Sequence, residues 1–414
     1  MVLEIFLLLL AALGLLVEAK FFRSTLKLRE SARQKTGNDF TPKVSLIVPF
    51  KGVDQGMGEN IKAFLSQDYP DYEVIFVSHS REDPSFKLLK ELLSKHQKLE
   101  LLQKFKSAKI LVRDEKYKDC SFKVASQLTA VREAKGEVLA FADSDVRPGR
   151  DWLGNLVAPL ANKEIGASTS TIWYVPEIPF AQTSKEGTAE NSFEQNTKGS
   201  MFWTCLMSAW NSSAGLSLTQ SRKRNFIRGC SFAIRKEKFE ELGMEKIWEK
   251  EITDDASLTV RMKQEGSPIK FVPRAIVPAF EGFDREKVSE LTTRWVRIVR
   301  HYDRKAIRFA FLIYGISVAT LAAGILSFAF GFPGIGIVLL LPQAVSLLRS
   351  WLRFKLAEDV LPEWKGSMSS SKAKIILSEF FVKFLVLYNI VKTRGMKSII
   401  WRGREYFFAG QKSG

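Results

Sequence analysis

The hydrophobic positions of the chain fall into long runs at its two ends and short ones between them. Residues 2–17 are apolar except for Glu4, and Ala19, Phe21 and Phe22 carry the run toward the roughly 20 residues a bilayer-spanning helix needs. Between residues 42 and 278 the apolar runs are short and alternate with amphipathic stretches. Residues 44–49, 73–77 and 137–142 read as buried strands, and residues 60–67, 87–96 and 123–134 as helices. This alternation predicts a parallel sheet covered by helices on both faces. Residues 202–218, with Trp203 and Trp210, suit either a core helix or a patch lying on the bilayer, and the pattern leaves both open. Long runs return at residues 306–332, closed by Pro333-Gly334, and at 335–348; together they predict a helical hairpin in the membrane. Residues 375–391, interrupted by Glu379 and Lys383, fit either a third span or an interfacial helix.

Charge orients this layout. Lys20, Arg23, Lys27, Arg29, Arg33 and Lys35 follow the first run, and Arg349, Arg353 and Lys355 follow the hairpin. The positive-inside rule then keeps the central region cytoplasmic, beneath the inner membrane if the cell is bacterial. Val17-Glu18-Ala19 has the look of a signal-peptidase site, but no positive region precedes it, so the first run is expected to be an uncleaved anchor. The expected units are an anchor (1–22), a basic juxtamembrane linker (23–41), a cytosolic catalytic domain (42–304), a transmembrane hairpin (305–350), a cytosolic loop (351–374), and a third membrane or interfacial helix with a basic-aromatic tail (375–414). That tail sets Lys392, Arg394, Lys397, Arg402 and Arg404 among Trp401, Tyr406, Phe407 and Phe408, and is predicted to lie on the membrane surface.

A formal charge of +17 with 46% hydrophobic residues in 414 argues against a disordered polycation and for an anionic partner, nucleic acid or membrane. The basic residues crowd beside apolar runs and no nucleic-acid-binding signature appears, so the partner expected is an anionic membrane surface, with no nucleic acid. Cys120, Cys205 and Cys230 are too scattered for a disulfide framework, and three histidines leave little for a Cys/His metal site.

The candidate chemistry centres on Asp143-Ser144-Asp145, directly after the strand-like run 137–142 and before the turn signal Arg147-Pro148-Gly149. Ligands of open α/β sheets bind beyond the carboxyl ends of the strands. Two carboxylates there suit Mg²⁺ or Mn²⁺ together with a diphosphate. Asp83, just past the second strand, is placed to meet a nucleoside or to cap the following helix. Lys51 and Lys123 stand where a diphosphate needs countercharge, or are ordinary surface lysines. Asp254-Asp255 heads a helical pattern, where carboxylates either suit the helix dipole or serve as a general base. Arg294-Trp295, with Arg297 and Arg300, precedes the hairpin as a headgroup-binding stripe or as a lid over a departing diphosphate.

Taken in order, these features resemble the inverting glycosyltransferases of family 2 character, and specifically the ceramide glucosyltransferases of family 21. The resemblance is carried by residues 44–54, 68–74, Glu82-Asp83-Pro84, Asp143-Ser144-Asp145-Val146-Arg147, residues 229–235, Thr253-Asp254-Asp255 and Arg294-Trp295. It implies a GT-A, Rossmann-like α/β domain of the nucleotide-diphospho-sugar transferase type, flanked by transmembrane helices. It further implies that Pro49, Lys51, Asp83, Lys123 and Asp143 bind the donor, Asp83 at its uridine. Asp143 and Asp145 would hold a divalent metal, Asp255, preceded by Asp254, would be the base, and Arg294, Trp295 and Arg297 would close the diphosphate and acceptor end. Leu291 stands where the family motif has Gln or Arg, and Asp254 where a glutamate usually precedes the base.

The implied reaction is a single displacement moving a sugar, glucose favoured, from a UDP-sugar to a membrane-lipid hydroxyl. The same fold also fits another acceptor, such as a hopanoid, diacylglycerol or polyprenyl phosphate, or a polysaccharide synthase.

Overall fold

The computed structural model describes residues 2–34, 40–98, 107–176, 200–216 and 225–408. Expectations for residues 35–39 of the linker, Leu218 and the last residues of the tail lie outside these.

The catalytic unit is built on a seven-stranded sheet. Its strands are β1 (Val44–Phe50), β2 (Tyr72–Ser78), β3 (Ser107–Val112), β4 (Val138–Ala142), β5 (Ala167–Thr169), β7 (Ser231–Arg235) and β8 (Ile269–Phe271), in the order β3-β2-β1-β4-β7-β5-β8. A small separate pair is β6 (Ile172–Tyr174) with β9 (Val277–Ala279). Strands β1 to β4 are parallel as predicted, but β7 runs antiparallel to both β4 and β5, so the sheet is mixed. Helices α2 (Met57–Leu65), α3 (Pro84–Lys98), α4 (Phe122–Glu133), α5 (Trp152–Val157), α7 (Lys236–Glu241), α8 (Met244–Trp248) and α9 (Asp254–Gln264) complete the unit.

Alternation along the strands explains why both faces are dry. Leu46 and Val48 of β1, with Val74 and Phe76 of β2, pack beside Phe64 and Trp152 on one face. Ile47, Ile75, Val77, Leu139 and Phe141 face the other way, against Leu128, Phe232 and Trp248. With both faces buried, every residue of β2 and β4 is buried, which is why those strands read as continuous apolar runs.

Among the described residues, three helices are long and apolar enough to cross a membrane: α1 (Val2–Arg33), α11 (Arg304–Ala329) and α12 (Pro333–Val360). Helices α1 and α12 lie parallel, since Gly14 meets Pro342, Glu18 pairs with Arg349 at 3.2 Å, and Arg29 pairs with Asp359 at 2.8 Å. The first eleven residues of the expected linker are therefore the end of α1, held helical because Thr25, Leu28 and Ala32 are buried. Likewise α12 continues to Val360 through the first part of the expected loop, and Phe354 and Leu356 are buried against the catalytic unit. The rest of that loop holds a short 3-10 turn and α13 (Lys365–Ser369).

Helix α6 (Met201–Leu216) resolves the aromatic stretch in favour of the core, because Cys205, Met207, Ala209 and Trp210 are buried. Its Phe202 reaches outward, against Phe381 of α14 (Lys372–Lys392). Both ends of α14 sit against elements joined to the catalytic unit. Ser371 bonds Met201 beside α6, while Thr393 accepts from Arg300 of α10 (Arg285–Tyr302) at 3.1 Å. Its charged residues are buried: Glu379 pairs with Arg353 at 2.6 Å and Arg349 at 3.4 Å, and Lys383 bonds Gln343.

The tail holds a structure its expectation did not include. Strands β10 (Ser398–Trp401) and β11 (Arg404–Phe407) form an antiparallel hairpin folded onto the catalytic unit. Its apolar residues bury themselves in protein: Ile399, Tyr406 and Phe408 cluster with Ile252 and pack on Phe122, Ile298 and Tyr302.

Candidate active site

Strand β4 stops at Ala142 and delivers Asp143 and Asp145 to the rim of the sheet, next to the loop that leaves β1 at Lys51. The start of α9 brings Asp254 and Asp255 to the same rim. Pro49, Lys51, Lys123, Asp143, Asp145, Asp254, Asp255, Arg294 and Trp295 all line one cavity of about 1060 Å³. The site residues expected from sequence are thus gathered, with two exceptions. Asp83 lies one layer behind: its carboxylate accepts from the Gly52 amide at 2.9 Å and the Ser85 amide at 2.9 Å, capping α3 and pinning the Lys51 loop. Arg297 does not line the cavity, and its guanidinium lies over Phe408, 4.4 Å from the ring centre.

Lys123 is the hub. Its ammonium bridges Asp143 at 2.7 Å and Asp254 at 3.1 Å. Burial alone would depress its pKa, but Asp143, Asp254 and Asp255 outweigh it and hold the lysine charged. Asp254 also accepts from Gln127 at 2.8 Å and is almost wholly buried, so its oxygens are committed to structure. Gly229 is required here: a Cβ would stand 2.6 Å from the Lys123 ammonium and 3.0 Å from an Asp254 oxygen.

Asp255 has a different environment. Its carboxylate accepts from the Gly229 amide at 3.0 Å and the Ala256 amide at 2.7 Å. Burial and then the neighbouring Asp254 push its pKa up to about 6, against the pull of Lys123 and the two amides. A carboxylate poised there can take a proton near neutral pH.

Asp145 has the environment of a cation ligand. Its Oδ1 is buried without a hydrogen-bond partner, and burial followed by Asp143, Glu281 and Asp54 raises its pKa well above the usual carboxylate range. Among the described residues no group of three or more His, Cys, Asp or Glu is arranged to hold a metal. The pair Asp143 and Asp145 nevertheless fits a hard divalent ion that takes one or two carboxylates from protein and the rest of its oxygens from phosphates and water.

Beyond the carboxylates the cavity continues into the helices. Phe309, Ala310, Ile313 and Tyr314 of α11, with Val386 and Ile390 of α14, form an apolar arm, and Ser317, Arg349, Glu379 and Lys383 also line the cavity. A second feature that sequence reasoning missed is the β10–β11 hairpin at the carboxylate end, which contributes Trp401, Arg402 and Tyr406. The readable signal was Gly403 between the alternating Ile399, Trp401 and Arg404, Tyr406.

A sequence profile described as Glycosyl transferase family 21 matches residues 7–412. The chain belongs to glycosyl transferase family 21. It is therefore a glycosyltransferase, and its mixed α/β unit has the GT-A architecture. Among curated relatives, Ceramide glucosyltransferase 1 of Caenorhabditis elegans is 29% identical over 133 residues, 32% of this chain and 27% of that one. Glycosyltransferase AglE of Haloferax volcanii is 27% identical over 122 residues, 29% of this chain and 36% of that one. The matched stretch thus spans little more than a third of either relative's length at most. Among solved structures, mannosyltransferase PcManGT from Pyrobaculum calidifontis, in complex with GDP-Man and Mn²⁺, superposes with a TM-score of 0.47 at 17% identity, covering 93% of this chain and 98% of that one.

Proposed function

We propose that this family 21 chain is an inverting hexosyltransferase that moves glucose from UDP-glucose to the hydroxyl of a ceramide-like membrane lipid. The observation that carries the reading is the single cavity joining two chemistries: acidic and basic groups at one end, an apolar arm between α11 and α14 at the other. A water-soluble acceptor has no need of that arm. A lipid does, because its chains must stay apolar while its hydroxyl reaches Asp255.

The donor diphosphate sits at Asp143 and Asp145, which would hold the divalent cation. When bound, the cation neutralises diphosphate charge and eases departure of UDP. Lys51 and Arg294 add countercharge, and Lys123 fixes Asp143 relative to Asp254. Asp255 accepts the proton of the lipid hydroxyl as its oxygen bonds the anomeric carbon and the bond to the UDP oxygen breaks on the opposite face. Charge asymmetry around α1 and α12 supports a cytoplasmic catalytic side. The placement of both ends of α14 beside α6 and α10 supports an interfacial helix there.

The test is transfer from radiolabelled UDP-glucose by the full chain in lipid nanodiscs, with ceramide, diacylglycerol or polyprenyl phosphate supplied in turn. A labelled ceramide product whose sugar has inverted anomeric configuration is expected. Transfer only to another lipid would move the acceptor, and no transfer to any lipid would remove the reading.

A further inference from the structure

The hairpin turn is made by Arg402 and Gly403, with φ of 48° and 78°. Two successive left-handed residues define the turn that suits a twisted hairpin, and Asn-Gly or Gly-Gly form it without strain. Arg402 is the one non-glycine residue with positive φ among those described. A strained residue at a cavity wall is a pointer to function when its side chain has somewhere to go.

The Arg402 guanidinium has such a place. It donates to Asp54 Oδ1 at 3.0 Å and to the Lys51 carbonyl, while the Lys51 ammonium donates back to the Arg402 carbonyl at 3.4 Å. Asp54 in turn accepts from Ser144, the residue between Asp143 and Asp145. The hairpin therefore ties its tip to the β1 loop and the acidic pair together. Around it the cations accumulate: Lys51 lies 3.9 Å and Arg404 4.7 Å from the centre of the Phe122 ring, with Arg113 at 5.5 Å. Burial and then Arg402 depress the Lys51 pKa, so these two cations oppose each other across the mouth. Lys123 is committed to Asp143 and Asp254. A slot of mutually repelling cations beside Asp143 is chemically suited to an anion. Trp401, one residue back, lies under Arg294, 5.1 Å from its guanidinium, which joins the hairpin to the Arg294-Trp295 element.

We propose that the β10–β11 hairpin forms a wall of the donor site and that Arg402 at its tip binds the donor's diphosphate, exchanging Asp54 and the Lys51 carbonyl for phosphate oxygens. Guanidinium geometry favours this role, since its fork matches two phosphate oxygens at once. The inference rests on the nucleotide-sugar reading above.

The test is calorimetric binding of UDP and of uridine to the full chain in detergent with Mg²⁺. Arg402→Asn and Arg402→Gly both suit the left-handed turn, so they keep the hairpin while removing the charge, and Arg402→Lys keeps the charge without the fork. UDP affinity is expected to fall about tenfold or more in the first two variants and less in Arg402→Lys, with uridine unaffected. UDP binding within twofold of the parent in Arg402→Asn and Arg402→Gly would overturn the proposal, leaving the hairpin as a brace. So would an equal loss for UDP and uridine, which would place the effect at the nucleoside. If the unaltered chain bound no UDP, the nucleotide-sugar reading itself would fall, and this proposal with it.

Discussion

Asp255→Asn separates catalysis from stability at one atom. Asparagine is nearly isosteric, and its side-chain oxygen still accepts the Gly229 amide that now bonds Asp255 at 3.0 Å. What it loses is the charge and the second acceptor, since its amide nitrogen faces the Ala256 amide that Asp255 Oδ1 now accepts at 2.7 Å. The folded protein raises the Asp255 pKa from 3.8 to about 6, so at neutral pH the ionised carboxylate works against folding. About 2 pH units at 1.36 kcal/mol each gives about 3 kcal/mol as a ceiling, reduced by the side chain's partial exposure. The sign follows from the raised value: the protonated form favours the folded state, and that contribution is lost as pH rises through about 6. The difference in melting temperature should therefore shift in the variant's favour between pH 4 and pH 7, by about 2–6 °C. Sugar transfer should fall at least 100-fold, the lower range for loss of a general base. Thermal melts in detergent across pH, beside transfer assays, check both halves. A melting difference that stays constant from pH 4 to pH 7.5, or a variant that turns over normally, would refute the account of Asp255.

The parent's turnover should lose about tenfold per pH unit below pH 6 and level off above pH 7, because the base must be ionised; a flat profile from pH 5 to 8 would speak against Asp255, whose charge is set by burial and by Asp254 against Lys123. Chelation with EDTA should abolish transfer and added Mg²⁺ or Mn²⁺ should restore it, and Asp145→Ala should stay inactive with either ion while remaining folded. Gly229→Ala should cut turnover at least tenfold, since its Cβ would stand 2.6 Å from the Lys123 ammonium and push it off Asp254; steady-state kinetics with circular dichroism decide whether the fold survives. Ala310→Trp, in the wall of the apolar arm, should raise the apparent KM for lipid while UDP binding is unchanged. Glu379→Ala leaves Arg353 without its carboxylate while Arg349 keeps Glu18 at 3.2 Å, and should cost about 3 kcal/mol, read as loss of monodisperse protein on gel filtration.

How far the sequence could be read follows from where each residue finds its partners. Strands β1, β2 and β4 were legible because burial on both faces makes Leu46, Ile47, Val74, Ile75, Leu139 and Ala140 one apolar kind. Strand β3 was not, because it lies at the sheet edge half-covered, and its Lys109 pairs with Glu73 across the strands instead of adding to an apolar run. The direction of β7 was not legible either, since antiparallel pairing with β4 leaves no mark on the sequence of Ser231–Arg235. The hairpin in the tail was hidden for a physical reason. Arginines beside aromatics look alike whether the arginines meet headgroups or, as Arg294 over Trp401 and Arg404 over Phe122, the faces of the protein's own rings.

The site shows the same division. Asp143, Asp145 and Asp255 announce themselves because carboxylates at a strand end and a helix start are placed by local structure alone. Lys123 was expected as free countercharge for a ligand, but it lies between Asp143 and Asp254, which are 111 residues apart. That pairing alters the electrostatic account of the site. With one lysine already neutralising part of the acidic cluster, the charge left for a diphosphate must come from groups not bound to it. Those are Lys51 and Arg294 on the two flanking elements, joined by Arg402 from the far end of the chain once it leaves Asp54, with which it pairs at 3.0 Å. Asp83, which the sequence offered either to a nucleoside or as a helix cap, accepts from Gly52 and Ser85 and so caps α3. It therefore also holds the loop that carries Lys51, so removing it should loosen that loop and lower UDP affinity even where the nucleoside itself keeps its contacts.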